Sequence, residues 1–146
     1  MILRTIFKFL YVPIFYTDRI KKGFAGYSNG VYIKIRPEYK EDEGLHLHEL
    51  EHCKQWYKTL GFSGMMSIYA RGTIFKVKLP EWLVTYAKSW KYKYELKAYA
   101  VQALHEHSVV AQKYAAKVFA GYIANKYGLD VSEDVAFKDL CELMDV

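Results

Sequence analysis

The chain has 146 residues, of which 52% are hydrophobic and 25% charged, a size and balance typical of one folded domain and unlike a disordered chain. Its net charge of +5 comes from lysines and arginines spread along the sequence, so no nucleic-acid-binding arm is indicated. Two distant cysteines, Cys53 and Cys141, form no CxxC pair and favour a reduced, cytoplasmic protein over a disulfide framework.

The first sixteen residues, MILRTIFKFLYVPIFY, are apolar but interrupted by Arg4, Lys8 and Pro13. This stretch is too short and too charged for a membrane-spanning helix, and it lacks the small-residue cleavage site of a signal peptide. Five apolar residues have the spacing of one helix face: Ile2, Leu3, Ile6, Phe7 and Leu10. We therefore expect a short amphipathic helix that docks on the core, with contact to a membrane surface as the alternative.

Residues 23–36, GFAGYSNGVYIKIR, read as a β-hairpin with a turn at Asn29-Gly30 and an alternating second strand. Pro37 ends that strand or leaves it at the edge of a sheet. A free edge at residues 31–36 could pair with an extended peptide. Lys34 and Arg36 could instead be charges that protect such an edge.

The remaining segments are predicted to be mainly helical. A helix from about Gly44 to Leu60 is expected to stop at Gly61, and residues 61–79 form either a strand or a loop. Pro80 and Glu81 suit the first turn of a helical run to Tyr127, with breaks expected at residues 91–94 and at 105–108, where Ser108 can cap a new helix. Asp130 and Glu133 are predicted to form a capping box at the start of a last helix, which runs through Met144. The predicted class is α+β, mostly helical with a small antiparallel sheet, in one domain spanning residues 1–146.

The stretch LHLHELEHCKQW contains His48-Glu49-Leu50-Glu51-His52, which matches the pattern HExxH. On a helix, His48 and His52 lie on one face, so both imidazoles can reach one Zn²⁺ at about 2.0–2.1 Å. Glu49 can approach a metal-bound water as general base without being a ligand. The alternative is a solvated helix face, but the same sector carries four apolar side chains: Leu45, Cys53, Trp56 and Leu60. Two histidines that face a core need polar partners, which a metal supplies.

Two further residues of this stretch are predicted to be bystanders. At 100° per residue, His46 lies about 200° around the helix from His48, so it cannot join the two histidines at one ion. We expect His46 at the helix start or at the edge of a cleft. Glu51 points away from the face of the two histidines and is predicted to be a solvated carboxylate.

A catalytic zinc takes three protein ligands and keeps one position open, so a third ligand is expected on a later helix. Glu95 is the strongest candidate, because its helix is apolar on the same face and the small Ala98 permits close approach to the metal helix. Tyr99 and Gln102 continue that face. The rivals for third ligand are two histidines beside a predicted helix break: His105 and His107.

The segment HELEH, followed by ELKAYA, resembles the HExxH…ExxA pattern of gluzincin-type zinc metallopeptidases. The context GVYIKIRPEY, an acidic loop, HELEHCKQW and LGF is similar to small metallopeptidases predicted in phages and bacteria, and the resemblance covers about residues 26–102. It implies a zincin-like domain with zinc bound by His48, His52 and Glu95, and with Glu49 as base. Where that family often has an acidic residue that supports a histidine, this chain has Tyr99. A phenol can hydrogen-bond an imidazole or a substrate oxyanion, and Gln102 is an alternative partner.

The expected function is hydrolysis of peptide bonds by a zinc-activated water. A cleft lined by tyrosines is expected to contact the substrate: Tyr32, Tyr39, Tyr94 and Tyr99. The alternatives are a catalytically inactive structural or virion-associated protein held together by zinc, and a basic nucleic-acid-binding accessory domain. The expected partners are a peptide or protein substrate and, for a phage-encoded chain, other phage or virion proteins in the host cytoplasm or the virion.

Overall fold

The computed structural model describes residues 1–146. Its main sheet has four strands: β1 (Ile2–Ile6), β2 (Leu10–Tyr16), β3 (Gly26–Ser28) and β4 (Ile33–Ile35). The predicted α+β class is confirmed, with one difference in the sheet. Its strand order is β1-β2-β4-β3, and the central pair of β2 and β4 is parallel, so the sheet is mixed and not wholly antiparallel.

The predicted N-terminal helix is wrong, because residues 2–16 form the hairpin of β1 and β2. Phe7 and Lys8 make its turn with positive φ values of 53° and 66°. Val12 and Ile14 are buried at alternate positions of β2, where they pack under the sheet. The apolar residues of this segment thus suit both the period of two of a strand and the spacing of a helix. Pairing with the distant β4 favours the strand.

The predicted hairpin of residues 23–36 is confirmed as the antiparallel pair of β3 and β4. Its second strand, however, has no free edge, because β4 lies between β2 and β3. Peptide pairing at β4 and edge protection by Lys34 and Arg36 are therefore both wrong. The Arg36 guanidinium instead donates to the carbonyls of Phe24 and Ile20, at 2.8 and 3.1 Å, and so ties down the loop before β3.

Helix α1 (Glu43–Lys58) follows a short 3₁₀ turn at Pro37–Tyr39, and the Asp42 carboxylate caps it by accepting from the Leu45 N–H at 2.9 Å. Gly61 ends this region with φ of 86°, and its N–H reaches the Trp56 carbonyl as in a Schellman motif. Residues 61–79, expected as a strand or loop, contain helix α2 (Phe62–Tyr69) and a hairpin. The hairpin strands are β5 (Thr73–Ile74) and β6 (Val77–Lys78).

Helix α3 (Glu81–Leu104) runs unbroken through residues 91–94, so the first predicted break is wrong. The second is confirmed, and α4 (Val109–Lys126) begins there with Ser108 accepting from the Ala111 N–H at 3.1 Å. The last helix is α5 (Glu133–Met144), whose cap is Ser132 and not Asp130. Asp130 has a φ of 57°, which places it in the preceding turn.

Helix α3 is the central element of the fold, packed against the other four helices. One core joins α3 to α4 and α5, and a second lies between α1 and the sheet. Helix α1 is therefore covered on two sides, by the sheet and by α3, and the face that carries His48 and His52 lies against α3. Among the five helices, none combines the length and apolar composition that crossing a bilayer requires.

Candidate metal centre

Helices α1 and α3 bring His48, His52 and Glu95 together at their buried interface. The His52 Nε2 lies 3.2 Å from His48 Nε2 and 3.3 Å from Glu95 Oε2, and the third distance, from His48 Nε2 to Glu95 Oε2, is 3.8 Å. The side chains of His48 and Glu95 are only 5% and 8% exposed. A buried group of two imidazoles and a carboxylate with this spacing could hold a metal ion.

The three distances can be compared with those of a tetrahedral site. Two corners of a tetrahedron around an ion at about 2.0–2.1 Å are separated by about 3.3–3.4 Å. The observed separations of 3.2, 3.3 and 3.8 Å fall close to this value. The buried Oε2 of Glu95 also lacks any hydrogen-bond donor. Since a buried acceptor without a partner costs free energy, both observations fit a cation bound among these residues.

Gln55 fixes the orientation of His52. Its Nε2 donates to the Tyr94 carbonyl at 3.0 Å, so its Oε1 is the atom that accepts from His52 Nδ1, also at 3.0 Å. An Nδ1 that donates leaves Nε2 of the neutral ring without a proton and free to bind a metal. Gln55 thus links the imidazole of α1 to the backbone of α3.

His48 lies between Gln102 and the ring of Tyr99. The Gln102 side chain lies close enough to act on the pKa of His48, but Gln102 Oε1 and His48 Nδ1 form no hydrogen bond. The Tyr99 ring packs edgewise on the imidazole at a centroid distance of 4.3 Å. Its hydroxyl lies 2.8 Å from that of Tyr127. Of the two residues considered as the support of His48, Tyr99 therefore contacts it through its ring, and neither Tyr99 nor Gln102 forms a hydrogen bond to this imidazole.

Glu49 is buried beside the cluster but takes no part in its hydrogen bonds, which run through His48, His52 and Gln55. Its side chain lies against Gly26 of β3, where an added Cβ would be 2.9 Å from Glu49 Cδ. Only a residue without a side chain allows the strand to approach this closely. The carboxylate is thus held between α1 and β3.

The charges of the cluster act strongly on one another. Burial and the neighbouring His52 lower the pKa of His48 to about 3. Burial also opposes the charged form of His52, but the Glu95 carboxylate raises the pKa of His52 to about 9. Burial raises the pKa of Glu49 to about 7. The Glu95 carboxylate therefore favours a positive charge beside it, which a bound cation would supply.

A cleft of about 1510 Å³ opens beside the cluster and is lined by His48, Glu49, His52 and Glu95. Three of the four tyrosines expected in such a cleft line it: Tyr39, Tyr94 and Tyr99. For the fourth, Tyr32, the prediction is wrong, because this side chain packs edgewise on Phe15 at the sheet. The cluster therefore combines the buried His48 and Glu95 with the partly exposed His52, and it has an open side.

The two predicted bystanders of α1 are more buried than expected. His46 is 2% exposed, and its Nδ1 lies 2.6 Å from the Asp42 carbonyl, so it stabilises the helix start from inside the core. Glu51 is 5% exposed between Lys54 and Lys97, at 3.8 and 3.6 Å. The prediction of a solvated Glu51 is wrong, because α1 is covered on two sides and leaves little of its surface to water.

The rival ligands lie outside the cluster. His105 and His107 are exposed at the turn between α3 and α4, with ring centroids 6.3 Å apart, and neither belongs to the metal-binding group. Leu60 was expected in the apolar sector of α1 but is 95% exposed, beyond the end of the helix.

Three residues of the site were not predicted: Gln55, Gly26 and Tyr127. Gln55 follows His52 by three residues on the same helix, a spacing that could have indicated the contact. Gly26 and Tyr127 come from distant segments, and no local pattern marks them.

Comparison of the chain with protein-family models, with curated proteins and with solved structures found no match.

Proposed function

We propose that this protein is a zinc-dependent peptidase. The observation that carries the proposal is the arrangement of Glu49, buried in the same cleft as His48, His52 and Glu95 and free of hydrogen bonds to them. Two imidazoles with one carboxylate favour zinc over magnesium or calcium, which prefer oxygen ligands. A structural zinc site has four protein ligands, whereas this group has three and faces a cleft.

Zinc at this position would supply Lewis acidity and a bound water of lowered pKa. Glu49 accepts the proton of the attacking water and then donates it to the leaving amine. Gln55 holds the His52 imidazole so that its Nε2 atom faces inward. In the pair of Tyr99 and Tyr127 hydroxyls, one proton lies between the oxygens, and the other is free to be donated to a substrate oxygen in the cleft.

The free edge of the sheet nearest the cluster supports a peptide as substrate. Strand β3 pairs only with β4, and its residues Gly26–Ser28 line the cleft next to Glu49. An extended peptide can add to such an edge through backbone hydrogen bonds, which are independent of side-chain identity. This edge replaces the one expected at residues 31–36.

The test is the substitution Glu49→Gln in the zinc-loaded protein, assayed on a pool of short peptides by mass spectrometry. We expect zinc content to stay at one ion per chain while cleavage falls by about 10²-fold or more, because only the base is lost. The matched control is Glu51→Gln, a change two residues away on the same helix and outside the cleft. Equal cleavage by wild type and Glu49→Gln would show that Glu49 is not the base.

A further inference from the structure

Of the five cationic side chains that line the same cleft, Arg36 lies 3.9 Å from Asp18 and donates to two backbone carbonyls. We call the other four the cationic patch: Lys21, Arg71, Lys91 and Lys126. They come from four parts of the chain, the loop before β3, the end of α2, the middle of α3 and the end of α4. Lys91 lies one turn before Glu95 on α3, and the charges of Arg71 and Lys21 both act on it. The fold therefore gathers positive charge beside the candidate metal centre.

No carboxylate forms a salt bridge with this patch. Lysines elsewhere pair with acids, as Lys88 does with Asp130 at 2.6 Å and Lys97 with Glu51 at 3.6 Å, but no member of the patch forms a salt bridge. Three of the cations lie instead over aromatic rings: Lys21 over Phe24, Lys91 over Tyr127 and Lys126 over Tyr122. The rings contact the ammonium groups, and Lys126 Nζ also donates to the Gly23 carbonyl at 3.2 Å, but none of these contacts supplies a counterion.

Lys91 is the best placed of the four. It is half-buried, and burial together with Arg71 and Lys21 lowers its pKa, so its charge is costly without an anion. The nearby Glu95 offsets part of that cost, but this carboxylate belongs to the metal group. A ligand that brings a negative charge would relieve the remainder.

The charges of the cleft are also separated along its length. Helices α1 and α3 run antiparallel, with Gln55 beside Tyr94 at one end and Gly44 beside Gln102 at the other. Lys91 lies about one helical turn before Tyr94, so it also lies at the first end. The second end carries acids of the cleft wall: Glu38, Glu41, Asp42, Glu43 and Glu106. A substrate that crosses the metal centre thus meets positive charge on one side and negative charge on the other.

We propose that the cationic patch binds a carboxylate of the substrate close to the bond that is cut. This proposal rests on the peptidase function and specifies its substrates: peptides with an acidic side chain or a free C-terminus on the side of Lys91. Lys91 and Glu95 are four positions apart on α3, which corresponds to a rise of about 6 Å along the helix axis. An extended peptide advances about 3.3–3.6 Å per residue. The carboxylate therefore lies one or two residues from the scissile bond.

The experiment measures binding of dansyl-labelled, alanine-rich pentapeptides to the zinc-loaded Glu49→Gln protein by fluorescence polarisation. Four peptides separate the two sources of a carboxylate: a free C-terminus, an amidated C-terminus, an amidated peptide with one internal Glu, and its Gln counterpart. At low salt we expect one or both carboxylate peptides to bind at least about tenfold more tightly than their neutral counterparts. Lys91→Met and Arg71→Gln should remove that difference, and Lys93→Met, on the exposed face of α3, should retain it.

Equal binding of the charged and neutral peptides would overturn the proposal, as would equal effects of Lys91→Met and Lys93→Met. Arg71 is exposed, so Arg71→Gln keeps the test decisive if the Lys91 variant does not fold. Failure of the peptidase function has a different signature: wild type would cleave none of these peptides, whatever their affinity. Cleavage of all four peptides at one rate, with no effect of Lys91→Met, would reject the patch and leave the peptidase standing.

Discussion

Gly26 offers a test of the position of Glu49 that leaves the metal ligands untouched. In Gly26→Ala the new Cβ would lie 2.9 Å from Glu49 Cδ and 3.0 Å from its Cγ, whereas ordinary contact begins at 3.4 Å. The carboxylate must therefore move by about 0.5–1 Å, and a displacement of this size costs a catalytic group about 10- to 100-fold in rate. In free energy this is about 1.4–2.7 kcal/mol of transition-state stabilisation.

The assay is kcat/KM of zinc-loaded wild type and Gly26→Ala on one cleaved peptide, with zinc content measured in parallel. Zinc content should not change. Gly26 is in a strand and does not have a positive φ, so the substitution strains no backbone angle and any loss of folding stability comes from the contact with Glu49. The control is Gly121→Ala in α4, where the new Cβ would make only ordinary contacts from 3.8 Å. Unchanged kcat/KM in Gly26→Ala with normal zinc would refute the placement of Glu49 as a base held between α1 and β3.

Two further predictions concern the metal. Gln55→Ala should weaken zinc binding by about 10- to 100-fold, because His52 Nδ1 loses its acceptor. Competition with a chromogenic chelator measures this affinity. An affinity equal to that of wild type would contradict the role of Gln55. Zinc at 100 times its Kd should stabilise the fold by about 2.7 kcal/mol and raise Tm by about 5–10 °C, a shift that EDTA reverses and Glu95→Gln largely abolishes. If EDTA leaves Tm unchanged, the metal is not bound to the folded protein.

The parts of this molecule that sequence could predict are those that depend on local spacing. The i, i+4 relation of His48 and His52 follows from helix geometry alone, as does the cap at Ser108. Glu95 was predicted because two signals indicate this residue: the resemblance to the HExxH…ExxA pattern and the apolar face of its helix. In the structure the candidate ligand atoms of these three side chains all lie within 4.8 Å of one another.

The errors arise where distant segments decide the outcome. The apolar spacing of residues 2–10 suits a helix, yet β2 pairs with β4, about twenty residues later, and the segment becomes a hairpin. The same parallel pair puts β4 inside the sheet and moves the free edge to β3. A helical wheel assumes that one face of the helix is exposed to solvent. It therefore could not predict that α1 is covered by both the sheet and α3, with Glu51 buried. Gly26 and Tyr127 reach the site through this tertiary packing alone.

The most direct test of the central claim is the anomalous diffraction of zinc-loaded crystals at the zinc absorption edge. We predict one strong peak at about 2.0–2.2 Å from His48 Nε2, His52 Nε2 and a carboxylate oxygen of Glu95, with no oxygen of Glu49 within bonding distance. The open coordination position should face the cleft. A peak elsewhere, or a site closed by Glu49 or another protein ligand, would contradict the proposed catalytic centre.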